Sequence, residues 1–132
     1  MTLDNEGTLL PLQGYVTRCQ EYLGNAYTSL EQNEVEKAGE FLWGSMAQAI
    51  KAVASLKGVE LRNHGAIWTY VRELTKELGD EDLLEAFRDA NSLHQNFYES
   101  GLTSDIVLTH GERIRYAVGK LLGMIPPGAL SQ

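Results

Sequence analysis

The segment Arg88-Asp89-Ala90-Asn91-Ser92-Leu93-His94 sets a permanent cation six positions before an imidazole. A guanidinium and a group that titrates near neutrality are the pair that phosphodiester chemistry uses when side chains alone carry it. On a helix, six positions give roughly 9 Å of rise and about 120° of rotation, so Arg88 and His94 do not touch directly. Asn91, three residues from each, fills the gap, and Tyr98 stands four beyond His94. Arg88, Asn91, His94 and Tyr98 therefore form one diagonal strip along a helix surface. This strip is the candidate site: Arg88, Asn91 and His94 hold the catalytic positions, and Asp89 and Tyr98 stand where they would contact a substrate.

A structural role fits the same residues. Leu83, Phe87, Ala90, His94 and Phe97 follow the spacing of a buried stripe, which puts His94 at a core or interface position as a hydrogen-bonded structural histidine. Other chemistries are set aside by spacing. None of His64, His94 and His110 has a Glu three residues before it, as helical di-metal carboxylate bundles require. With one cysteine, a two-cysteine zinc site is excluded, and no Gly-rich phosphate loop joins a strand to a helix. No metal or other cofactor is expected. His64 reads as a loop histidine near a helix start and His110 as a solvated one beside Glu112.

The elements that must position the strip are helical. Pro11 suits a first helical turn, and Leu12, Tyr15, Val16, Cys19, Tyr22, Leu23, Ala26, Tyr27 and Leu30 carry a helical period. Cys19 lies on that apolar face as a small core residue rather than a nucleophile, and as the sole cysteine it has no intramolecular disulfide partner. A second helix runs from about Asn33 to Lys57 and is closed by Gly58. Its Ala38, Gly44, Ser45, Ala47, Ala49, Ala52 and Ala54 permit close helix approach, which suits a central helix. Asn63 caps a third helix that Gly79 ends. Asp80 caps the fourth, which carries the strip and stops at Gly101, with Glu81 and Asp82 at its positive end. Ser104 or Asp105 caps a fifth, and Pro126 and Pro127 end regular structure. With no period-two stretch, the spacing predicts an all-α, antiparallel up-and-down bundle of about five helices. It forms a single domain over residues 1–132 with flexible ends at about 1–8 and 126–132.

Composition limits the partners. The chain has 132 residues, 43% hydrophobic and 22% charged, enough for one core and unlike a disordered chain. Met1 to Thr8 carry no basic region and no long apolar run, so a cytoplasmic protein without a membrane span is expected. The net charge of −7, with eleven Lys and Arg scattered from Arg18 to Lys120, repels polyanions at long range. Any contact with RNA must therefore be local.

Two stretches resemble a known family. The run from Glu36 to Ala52 is similar to the second helix of the archaeal PaREP-type branch of HEPN domains, and Leu93 to Glu99 to its later signature. Arg88-Asp89 and His94 match the general HEPN signature of an Arg, a polar residue and a His four to six positions on. The resemblance spans about Tyr15 to Leu122. It implies a helical bundle that dimerises with these motifs facing each other, in many members a metal-independent RNase or toxin, often encoded beside a nucleotidyltransferase. Asp89 stands where many active members carry Asn, and Asn96 where one toxin group carries a modified Tyr.

On that resemblance, apposing two strips across a twofold axis supplies two His94 side chains as base and acid and two Arg88 guanidiniums for the phosphate. Asn91 would orient the imidazole, and Tyr98 would hydrogen-bond to a base or stack on it. Three readings stand side by side. They are a metal-independent ribonuclease or RNA-binding protein, a non-catalytic module holding a nucleotide or a nucleotidyltransferase partner, and a purely structural helical homodimer with Arg88 paired to Asp89 or Glu85.

Overall fold

Five apolar stripes at helical spacing fold as five α-helices in a computed structural model, which describes residues 9–95 and 103–130. These are α1 (Leu9–Glu31), α2 (Val35–Leu56), α3 (His64–Leu78), α4 (Glu81–Gln95) and α5 (Ser104–Gly123). Among the described residues no strand occurs, so the all-α bundle expected from the spacing is the fold. No helix among them is long and apolar enough to cross a membrane.

The ends of the helices follow local chemistry. Asn33 takes a left-handed φ of 62° and so closes α1 rather than opening α2, a conformation that Asn tolerates better than most residues. The Glu34 amide donates back to the Ser29 carbonyl at 2.8 Å. Gly58, at φ 74°, closes α2. Asn63 caps α3 by accepting from the Ala66 amide at 2.8 Å, and Gly79 at φ 65° ends it. The Asp80 carboxylate accepts from the Leu83 amide at 3.3 Å and starts α4. The cap of α5 is Thr103, which accepts from the Ile106 amide at 3.3 Å, and not Ser104 or Asp105. Those two already lie inside the helix, one and two places too late for a cap. Gly101, the expected stop of α4, lies outside the described residues. Past Pro126 the chain makes a 3-10 turn at Pro127–Ala129, and Ala129 and Leu130 pack against Leu12, Val16 and Ala52.

The small residues of α2 explain its place. Ala38, Gly39, Ser45, Ala47, Ala49, Ala52 and Ala54 are all buried, and α2 contacts each of the other four helices. At Gly44 a Cβ would stand 2.9 Å from Tyr22 Cδ2, so the missing side chain is what lets α1 lie against α2. Ser45 Oγ donates to the Cys19 carbonyl at 2.9 Å. Cys19 is fully buried, and burial pushes its thiol pKa up, as suits a core residue. The α4 stripe then meets this core: Leu83, Ala86, Phe87, Ala90 and Leu93 are buried, which fixes how the rest of α4 faces.

Candidate functional site

Phe87 is the pivot of the site. Its fully buried ring sits 5.6 Å from Trp43 of α2 and edge-on to Trp68 of α3 at 4.6 Å, a geometry that aromatic pairs favour. Two turns further along α4, His94 stacks on Trp43 with ring centroids 5.1 Å apart and an angle of 21°. His64, the first residue of α3 rather than a loop residue, lies 5.0 Å from the same indole and 6.2 Å from His94. Three rings from three helices thus share one surface.

The polar contacts fix the histidines differently. His94 Nδ1 lies 2.9 and 3.1 Å from the two oxygens of Glu40, one helical turn before Trp43 on α2. A carboxylate only accepts, so Nδ1 carries a hydrogen, and in the neutral imidazole Nε2 is then the acceptor. His94 is 38% exposed at its side chain, so the imidazole lies at the edge of the core stripe rather than inside it. His64 Nε2 lies 2.9 Å from Asn91 Oδ1. Asn91, expected to orient His94, instead holds the other imidazole.

Arg88 pairs with Glu85 at 3.0 Å, one turn back, and both side chains are more than half exposed. Such a pair is worth roughly 0.2–1 kcal/mol, so a phosphate competes with it readily. Asp89 turns the other way. Its side chain, 11% exposed, accepts from Arg113 at 2.6 Å and lies 3.2 Å from His110 Nδ1, without a hydrogen-bond angle to the latter. It joins α4 to α5, away from His94. His110 is accordingly half-buried against Asp89, whereas Glu112 accepts from Tyr27 and Arg115. Tyr98 and Phe97 lie outside the described residues.

The strip therefore divides: Arg88, Asn91 and His94 remain on one face of α4, each with its own partner, and Asp89 does not share it. Glu40, Trp43 and His64 were not singled out from the sequence. Glu40 and Trp43 do sit three apart on one face of α2, but nothing local says that this face meets His94.

The span from residue 14 to residue 118, which holds every residue of this site, matches the family model described as Archaeal PaREP1/PaREP8 family. No curated protein and no solved structure matches the chain.

Proposed function

This chain belongs to the archaeal PaREP1/PaREP8 family, and we propose that it acts as a HEPN-type, metal-independent ribonuclease at the surface shared by α2, α3 and α4. The observation that carries the reading is the Glu40 carboxylate 2.9 Å from His94 Nδ1, which fixes a hydrogen on Nδ1 and so makes Nε2 the nitrogen that exchanges a proton with substrate. In the cleavage step the 2′-hydroxyl loses its proton to His94 Nε2 and its oxygen bonds to phosphorus. The bond from phosphorus to the 5′-oxygen breaks, and that oxygen takes a proton from a second group. Glu40 compensates the charge that His94 acquires, in the manner of the carboxylate behind a catalytic histidine. Arg88, released from Glu85, stabilises the charge on the phosphoryl oxygens.

A homodimer is part of this proposal, since two such surfaces across a twofold axis would form one groove along an RNA strand. That local groove must overcome the net charge of −7, which limits RNA binding to contacts at the site.

Incubation of the purified protein with a diverse RNA pool in EDTA tests the reading. Cleavage by the wild type and its loss in a folded His94→Ala variant are expected. An intact pool, or equal cleavage by the variant, would overturn it. The exposure of Arg88, whose pair with Glu85 yields readily to a phosphate, equally suits one second reading, a module that holds a nucleotide or a nucleotidyltransferase partner without turnover. In that case a nucleoside monophosphate binds at His94 while RNA stays intact.

A further inference from the structure

We propose that His64 is the second proton-transfer group of this site, so that one chain carries both the base and the acid. This rests on the ribonuclease reading above.

The two imidazoles lie with ring centroids 6.2 Å apart and their planes within 24° of parallel. Trp43 lies 5.0 Å from one and 5.1 Å from the other, so a single indole sets the position of both. Their hydrogen bonds use opposite nitrogens. His94 donates from Nδ1 to Glu40, and His64 donates from Nε2 to Asn91 Oδ1; among the described residues His94 Nε2 and His64 Nδ1 have no hydrogen-bond partner. Their partners also differ in charge. A carboxylate stands behind His94, where it can compensate the charge of a proton taken up, and an uncharged amide stands behind His64. With the rings 6.2 Å apart, one phosphodiester group is small enough to reach both imidazoles through hydrogen bonds of about 2.8 Å.

The step balances within one chain. His94 Nε2 removes the proton from the 2′-hydroxyl as that oxygen bonds to phosphorus. As the bond from phosphorus to the 5′-oxygen breaks, the imidazolium of His64 passes the proton on Nδ1 to the departing oxygen. Asn91 is then a positioning residue, because it fixes which nitrogen of His64 faces the substrate. Phe87, packed on Trp43, holds the platform.

Two measurements decide the matter. The first is the pH dependence of RNA cleavage in EDTA by wild type, His64→Ala and His64→Gln, each checked for helicity. A bell-shaped profile is expected in the wild type, with the alkaline limb absent and the rate lower by a hundredfold or more in either variant, the usual effect of a general acid. The second uses a mixed dimer of one wild-type chain and one His64→Ala/His94→Ala chain. About half the wild-type activity is expected, because the wild-type chain is complete by itself. Near-total loss would mean that two His94 groups act together across the dimer and would overturn the assignment of His64. Full activity of folded His64→Ala and His64→Gln alongside an inactive His94→Ala would overturn it too and leave the ribonuclease reading standing. An inactive wild type would overturn both.

Discussion

His94 Nδ1 lies 2.9 Å from Glu40 Oε1 across fifty-four positions of sequence. This contact turns an amphipathic-stripe histidine into a hydrogen-bonded pair that engages one ring nitrogen, Nδ1. It ties α4 to α2 at the level where Trp43 meets both imidazoles.

The pair orders the expected losses of activity. His94→Ala should reduce RNA cleavage by about 10²–10⁴-fold, the contribution of a positioned proton acceptor. Arg88→Ala should cost about a hundredfold, as loss of one donor to a developing anion does. Glu40→Gln keeps the shape but frees the tautomer and should lower the rate by less than His94→Ala, with substrate affinity unchanged. Single-turnover cleavage in EDTA reads all three, and a Glu40→Gln rate equal to wild type would remove Glu40 from the mechanism.

Two glycines of the first helix pair should respond in opposite directions. A Cβ at Gly44 meets the Tyr22 ring at 2.9 Å, whereas at the exposed Gly24 it meets nothing within 4 Å. Gly44→Ala should destabilise by about 1–3 kcal/mol through overpacking. Gly24→Ala should stabilise by about 0.4–1 kcal/mol, since it only stiffens the unfolded chain. Urea denaturation of both variants checks the contrast between them.

Asp80 gives a pH dependence of stability. The Lys120 ammonium hydrogen-bonded to it holds its carboxyl below the usual carboxylate range, and the Leu83 amide adds to this. A folded-state value below the ordinary one of about 3.9 means the contribution is fully present above that pH. It is lost as pH falls through the folded value. Lys120 is shifted upward, chiefly by its hydrogen bond to Asp80, so its contribution is present below the ordinary lysine value and lost as pH rises through the folded one. Asp80→Asn should cost roughly 0.2–1 kcal/mol at neutral pH and nothing once Asp80 is protonated in the wild type. Asp80→Ala should cost about 1 kcal/mol more at any pH, because it also removes the α4 cap. Denaturation midpoints at neutral and strongly acidic pH separate the two effects.

A homodimer should appear in solution if two sites form one groove. Light scattering at micromolar concentration is expected to give twice the 14.6 kDa chain mass. A strict monomer would remove the shared groove but leave the pairing of His64 with His94 in place.

The helices were legible because their causes are local. Apolar residues at the helical period mark α1 to α5, and Asn63, Gly79, Gly58 and Asp80 punctuate them through caps and left-handed turns that act within four residues. The same local logic misplaced the start of α5, because Thr103, Ser104 and Asp105 are adjacent candidates and only the helix that forms shows which hydroxyl faces the Ile106 amide. Arg88, Asn91 and His94 could be named from type and spacing alone.

Their partners could not. Periodicity says which face of a helix turns inward, not which helix it meets or at what height. Asp89 and Arg88 are neighbours in sequence, yet the burial of Leu83, Phe87 and Ala90 rotates Asp89 toward Arg113 on α5 and leaves Arg88 beside Glu85. Glu40 reaches His94, and His64 reaches Asn91, because α2 packs centrally and carries Trp43 to the place where α3 begins. The sequence by itself determined five helices, the caps at Asn63, Gly79 and Asp80 and an Arg/His strip, all from interactions within one or two turns. Only the tertiary structure decided that a carboxylate, an indole and a second imidazole gather on that strip, since the packing of side chains between helices sets their mutual rotation and height.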